Sequence, residues 1–427
     1  MDENRKSYIQ EFCCIFMSRW LYPILGLIVN TMLGGLYAFS LYYPSLQKAF
    51  NLEAVAPLAL AYSLATLFFA IGMIPGGVLF DKKGPKIGII LGAILIIVGY
   101  ALGFSIKDMP WSSACYIYWI GLGVLAGLGI GFAYAVPGPT AIKWFPERPG
   151  AATGVAVLGF GIGAAFSTPL ITYFISTVGP FTTFLYMGLI YGIVMIICGA
   201  LMKLPPPDFK PPVTVPVTTP PTGVKVGEAI RDKRFYFLWL SYVFAAFAGL
   251  MIIGNAAPIV REGGAAAGFP AAEVALIIPT FVFVTSIFNA IGRPFWGSVL
   301  DKVGPWKAMQ LNYITAAIVL VILSLVYRIN PWFAFVAVIT YLCYGGVLAM
   351  YPSATAIYFG RLHLGKIYGI LFTAWGVAGL TGGMSGAMIR DITGSYFLSF
   401  YVAMILSLIA AAMAAIGARL KAKPKPS

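Results

Sequence analysis

The chain has 427 residues, 60% of them hydrophobic and only 10% charged, with a formal net charge of +14. Together with a mean hydropathy of +0.89, this excludes a soluble globular domain and points to a polypeptide that crosses a membrane many times. The basic excess would suit nucleic acid, but it is gathered in loops between apolar runs, which excludes that reading as well.

Residues 1–19 are expected to form a cytoplasmic N-terminal segment. Met1 to about Glu11 is polar, and the first apolar stretch runs on into a full-length span, so no cleavable leader is expected. Six apolar windows follow, at 20–43, 56–80, 86–106, 113–137, 150–176 and 181–203. Each has roughly the 20 residues a helix needs to cross a bilayer, and a lone strand would leave its backbone unsatisfied in lipid. Many windows are rich in Gly and Ala, which lets helices approach closely; Gly159 and Gly163 mark such a place on the fifth. Residues 204–234 read as a cytoplasmic linker containing Pro205-Pro206-Pro207, Pro211-Pro212 and Pro220-Pro221, too extended to pack a core. Within it, Val226-Gly227-Glu228-Ala229-Ile230 suits a short surface helix. Six further windows lie at 235–260, 272–300, 306–327, 332–358, 367–389 and 395–418, before a basic cytoplasmic tail at 419–427. The expected fold is an all-α membrane protein of twelve transmembrane helices, with one six-helix bundle at 20–203 and another at 235–418.

Charge fixes an expected orientation. Of the Lys and Arg residues, Lys48, Lys107, Arg261, Arg328 and Arg390 fall on one side, Arg293 is mid-span, and all the others fall on the opposite side. The positive-inside rule makes that richer side cytoplasmic, with both termini there, in a cell inner membrane. Its basic residues are expected to meet anionic lipid. The five cysteines show no disulfide or metal spacing, and no nucleophile–base set, metal cluster or nucleotide loop stands out. Neither a cofactor nor a metal is expected, the chain does not read as an enzyme, and a monomer is expected.

The eighth window carries the most informative residue. Arg293 lies in the run Phe288-Asn289-Ala290-Ile291-Gly292-Arg293-Pro294-Phe295-Trp296, eight residues before Asp301. At about 1.5 Å per residue this places it roughly 12 Å deep in a hydrocarbon core of about 30 Å. A guanidinium there costs several kcal/mol unless it is paired or hydrated. None of the 14 Asp and Glu residues falls in the middle of an apolar window. The missing anion is therefore expected to be a substrate. Asn289, four residues earlier, shares the same helix face and suits orienting the guanidinium or donating to substrate; an interhelical hydrogen bond is the other use of such an amide. Pro294 removes an N–H that the Ala290 carbonyl would accept, loosening the helix beside the cation.

The two halves repeat. Gly77-Val78-Leu79-Phe80-Asp81-Lys82-Lys83-Gly84-Pro85-Lys86 between windows two and three is matched by Gly297-Ser298-Val299-Leu300-Asp301-Lys302-Val303-Gly304-Pro305-Trp306-Lys307 between windows eight and nine. Thr140-Ala141-Ile142 matches Thr355-Ala356-Ile357, and the match continues to Gly150 over Gly365 and Gly154 over Gly369. Two matches at similar offsets imply an internal duplication. The first pair resembles the signature loop of the major facilitator superfamily, the second copy departing by Trp306 before Lys307. Three stretches resemble the oxalate:formate antiporters and bacterial monocarboxylate transporters within it: Lys143-Trp144-Phe145-Pro146-Glu147-Arg148, Asn289 to Gly297, and Tyr368-Gly369-Ile370-Leu371-Phe372-Thr373-Ala374-Trp375-Gly376.

The resemblance implies a cavity at the membrane midplane between two pseudo-symmetric bundles that rock in alternating access. It maps the family's essential arginine onto Arg293. Trp375 stands where oxalate carriers have a second cation, and Leu41 where animal monocarboxylate transporters have a lysine. Asn289 replaces an aspartate of the latter. Tyr37, Tyr134 and Tyr344 lie within spans and suit an apolar wall bearing one hydroxyl; the resemblance favours Tyr134 and Tyr344. Leu41, Leu158 and Trp375 are expected as apolar walls. Asp81 with Lys82 and Asp301 with Lys302 are expected as gates, with Gly77 and Gly297 allowing close helix approach.

The expected function is a secondary carrier of small monocarboxylates such as lactate or pyruvate. A single mid-span cation matches a single carboxylate, and a dicarboxylate would leave one charge unpaired. Oxalate exchange is the runner-up, and a membrane sensor that binds the anion without moving it is the rival from another class. Symport with protons and exchange of anions both fit.

Overall fold

The computed structural model describes residues 19–145, 149–206, 209, 223–360 and 363–420. The segment before Arg19, Arg148, most of the proline-rich linker and the tail beyond Leu420 lie outside the described residues. The described chain is helical. In order, the membrane-length elements are α1 (Arg19–Phe50), α2 (Ala56–Lys83), α3 (Pro85–Ser105), α4 (Trp111–Trp144), α5 (149–178), α6 (180–201), α7 (Lys233–Gly254, extended by Ala256–Ala266), α8 (Ala271–Val303), α9 (Pro305–Val326), α10 (Ala334–Phe359), α11 (Leu364–Thr393) and α12 (Phe397–Arg419). Among the described residues, eleven helices are long and apolar enough to span. The longest of them contains both α5 and α6, which fold apart at Gly179 (φ 81°), just before Pro180.

Several helices overrun their apolar windows. The α8 helix continues through Asp301 to Val303, and α1 continues to Phe50 through a tightened 3-10 stretch, Gly34–Tyr42. Hydropathy marks only the lipid-immersed part, whereas the backbone ladder continues into water at no penalty. In the linker, Val226–Ile230 is a short helix, as its sequence suggests.

The repeat is visible in the backbone. Gly84 and Gly304 end α2 and α8 at φ 77° and 83°, and their N–H groups donate to Phe80 and Leu300, each at 2.8 Å. Only glycine enters that region without strain. Thr140 and Thr355 likewise each donate to the carbonyl four residues back, Val136 and Tyr351. The pairing α2–α4 in the first half recurs as α8–α10 in the second, and α1–α5 as α7–α11.

The halves meet along two seams, α2 with α11 and α5 with α8. In the first seam a methyl group at Gly376 would crowd the Ala70 side chain, and one at Gly379 would overlap Thr66. Within the first half, a methyl at Gly163 would overlap the Gly34 backbone and one at Gly159 the Leu27 carbonyl, the close approach their spacing suggests.

The two ends of the molecule differ in the hydrogen bonds that join the halves, which among the described residues fall in the middle and at the end opposite the repeated loops. At the end bearing the repeated loops, a methyl on Gly77, Gly297, Gly154, Gly365 or Gly369 would meet nothing within 4 Å. The close approach expected of Gly77 and Gly297 is not made in this conformation. The opposite, distal end is shut. There Asp391 on α11 accepts from the Val55 and Ala56 N–H groups that begin α2, at 3.0 and 2.8 Å. Arg390 donates to the Glu53 carbonyl, and Ser40 accepts from Ala257 across the halves. Below them the Tyr62 ring of α2 lies against Gly254 and Gly383 of the second half.

Candidate functional site

The site is built on the α5–α8 seam. The helices run antiparallel, and one face of α8 presents Ser286, Ala290 and Arg293 to α5. The Ser286 hydroxyl donates to the Gly161 carbonyl at 2.6 Å and accepts from Ala165 N–H at 3.1 Å. Ala290 sits directly against Gly161, where a side chain on the latter would not fit. One turn on, Arg293 Nη1 donates to the Val157 carbonyl at 2.8 Å. The guanidinium is buried, and its other edge is unused: Nε and Nη2 have no hydrogen-bond partner among the described residues. Asn289 is buried beside it with both amide atoms unpartnered. The interhelical bond weighed for its amide is not made; its backbone carbonyl instead packs on Gly345 of α10. A buried polar atom without a partner costs about 1–3 kcal/mol, and a charged one more. Every described Asp and Glu lies near a helix end, in a loop or, for Glu262, in the Ala256–Ala266 extension of α7 where it is held by Tyr327 and Arg328, so none offers the guanidinium an anion.

An aromatic cluster drawn from both halves packs beside this seam. Phe69 meets Tyr134 at 5.0 Å and Trp375 at 4.9 Å between centroids, while Phe160 meets Tyr37 at 5.1 Å and Tyr134 at 5.3 Å. Phe372 stacks on Trp375 at 5.2 Å. Tyr37, Tyr134 and Tyr368 are close enough to Arg293 to interact with its charge. Trp375 is fully enclosed, and its indole N–H donates to the Tyr344 hydroxyl at 2.8 Å. Tyr344 in turn lies 3.1 Å from the Tyr37 hydroxyl of the other half.

The structure therefore brings together Arg293, Asn289, Tyr37, Tyr134, Tyr344 and Trp375. Leu41 is buried on the same 3-10 stretch as Tyr37, and Leu158 follows Val157 on α5, half-buried. Asp81, Lys82, Asp301 and Lys302 are elsewhere, exposed at the end bearing the repeated loops, with no ion pair or hydrogen bond among the described residues. Sequence reasoning missed the Val157 carbonyl, which as a backbone group leaves no trace in residue type. It also missed Phe69, Phe160 and Phe372; of these, Phe160 between two glycines and Phe372 within a family-like stretch carried a signal. Asp391 escaped notice because its role as a cap depends on which helix end lies beside it.

Comparison with known proteins accords with this fold. The model of the Major Facilitator Superfamily matches residues 24–383. An oxalate:formate antiporter of Oxalobacter formigenes is 29% identical over 375 residues, 87% of this chain and 85% of that protein. An apicoplast pyruvate carrier of Toxoplasma gondii is 23% identical over 380 residues, 73% of this chain and 66% of that protein. Among solved structures, a bacterial homologue of the human lysosomal transporter Spinster, described as inward-facing and unoccupied, superposes with a TM-score of 0.63. It is 18% identical and the match covers 96% of this chain and 99% of that one.

Proposed function

The chain belongs to the Major Facilitator Superfamily, and on that footing we propose that it is a secondary carrier of small monocarboxylates of the lactate and pyruvate type. The observation that carries this reading is the unused Nε–Nη2 edge of Arg293. Those two N–H groups are parallel and coplanar and match the two oxygens of one carboxylate. A carboxylate bound there would neutralise the charge and satisfy both buried donors. Asn289, Tyr37, Tyr134 and Tyr344 supply hydrogen bonds around it. Leu41, Leu158 and Trp375 supply apolar wall.

The excess of basic residues at the end bearing the repeated loops supports reading that end as cytoplasmic. The present form is then open inward, with Asp391 and Tyr62 sealing the outside. Rocking about the two seams would close the inner end, where Asp81, Lys82, Asp301 and Lys302 serve as the gate. The similarity to an oxalate:formate antiporter favours oxalate exchange as the second reading. The charge count weighs against it, because a second carboxylate would face the Trp375 ring without a cation. Uptake of labelled lactate, pyruvate, formate and oxalate into proteoliposomes, with and without a pH gradient, tests the reading. Saturable lactate or pyruvate uptake supports it, and uptake of oxalate alone would replace it with the second. The pH gradient separates proton symport from anion exchange.

A further inference from the structure

The buried Ser286 hydroxyl of the second half reaches into the backbone of α5 in the first. It donates to the Gly161 carbonyl at 2.6 Å and accepts from the Ala165 N–H at 3.1 Å. Those two groups are four residues apart, and an uninterrupted α-helix pairs them with each other. A side chain set against such a pair loosens the ladder at that step. The sequence of α5 weakens the same stretch. Gly159, Gly161 and Gly163 stand in it, and Pro169 offers no N–H to the Ala165 carbonyl. At this step α5 takes its hold from the other half of the molecule.

Arg293 uses the same backbone row. Val157, Gly161 and Ala165 follow one another at four-residue steps on α5, and Ser286 and Arg293 lie two turns apart on one face of α8. Between them Ala290 fills the space that a side chain on Gly161 would take. The Val157 carbonyl that receives Arg293 Nη1 is thus one turn of α5 from the carbonyl that receives Ser286.

We propose that Ser286 is a positioning residue for the substrate. Its hydroxyl sets the register of α5 on α8, the register places the Val157 carbonyl, and that carbonyl orients the free Nε–Nη2 edge of Arg293. The inference rests on the reading of that edge as the carboxylate site. It makes one distinctive demand. Loss of an ordinary buried hydrogen bond strands a partner and costs stability. Loss of this hydroxyl strands none, because the Gly161 carbonyl and the Ala165 N–H then close on each other. The cost falls on the alignment of the guanidinium.

Titration calorimetry of the purified carrier with lactate, pyruvate, formate and oxalate, beside thermal unfolding, tests the inference. Ser286→Ala is expected to bind each acid that the native carrier binds about 10-fold more weakly, the worth of one charge-assisted bond out of line. The factor should be common to them, since the carboxylate is what they share. The Tm is expected to stay within about 2 °C of native. Ser286→Thr returns the hydroxyl and should recover most of the affinity. Unchanged affinity in Ser286→Ala would overturn the inference, as would a Ser286→Thr variant of native Tm that binds no better than Ser286→Ala. A fall in Tm in step with the loss of affinity would also overturn it, by marking the hydroxyl as a general support of the fold. Native binding of oxalate alone would overturn the monocarboxylate reading, while the Ser286→Ala ratio for oxalate would still decide this inference. Binding of none of the four acids would overturn both.

Discussion

Arg293 of the second half is moored to the first by a hydrogen bond from its Nη1 to the Val157 carbonyl at 2.8 Å. The bond engages one corner of the guanidinium and turns the carboxylate-shaped edge away from the helix that holds it. The cation thus touches both halves before any substrate arrives.

Replacing Arg293 should remove transport without unfolding the protein. Arg293→Ala is expected to lower uptake by at least about 100-fold, consistent with the functional weight of intramembrane charge. Arg293→Lys should also fail by at least about tenfold, because an ammonium cannot hold Val157 and present two parallel donors together. Uptake into proteoliposomes and the thermal unfolding of each variant are the measurements. Native uptake by either one would contradict the role assigned to the guanidinium.

Asp391→Ala should favour opening of the distal end. It deletes the cap that α11 places on the first residues of α2. Loss of a helix cap costs roughly 0.5–2 kcal/mol, a shift of about 2- to 30-fold between states. Spin labels on Lys48 and Glu273, at the distal ends of opposite halves, should report a longer distance in the variant. An unchanged distance distribution would remove Asp391 from the seal.

Asp81→Asn or Asp301→Asn should slow turnover more than it weakens substrate binding. Both residues are remote from Arg293, exposed at the end bearing the repeated loops and unpaired among the described residues. Their contacts are expected in the state in which that end is shut. A change confined to affinity, with turnover unaltered, would show that they act on the site instead.

Excess oxalate should barely reduce lactate uptake. Its second carboxylate would meet the Trp375 ring, which is enclosed by Phe69 and Phe372, and its desolvation would be uncompensated. Trp375→Lys should raise oxalate recognition relative to lactate by placing an ammonium where the indole stands. Competition by oxalate as strong as that by lactate itself would favour the exchanger reading.

Hydropathy and the positive charges made the spans legible, and Arg293 was legible because a charge in a lipid-length run has few uses. The repeated loops were legible as a duplication, and the structure adds that their matched glycines, Gly84 and Gly304, share a positive φ. Helix ends were less legible, because beyond the lipid a helix is held by its backbone and no longer by apolar composition. The single-residue break at Gly179 between α5 and α6 is an example. Which state the molecule occupies was not legible at all. That depends on pairs such as Asp391 with Val55, which are 336 residues apart in the chain and meet only when the halves do.

One helix links the two ends of the molecule, carrying Pro75 between its middle and its Asp81 tip. The α2 helix has 28 residues, about 42 Å at 1.5 Å per residue. Its closest packing on the second half, Thr66 and Ala70 against Gly379 and Gly376, falls near its middle. A stiff lever held at such a fulcrum moves its tips in opposite senses. Lifting the Val55 tip from Asp391 therefore swings the Asp81 tip toward the second half, and the reverse stroke undoes both. A passage open at both ends would require this lever to bend, and Pro75, which cannot donate to the Ile71 carbonyl, is the place inside it where a bend is eased. Leak across the membrane is thus opposed by the stiffness of the run before Pro75 as well as by the gates at the tips.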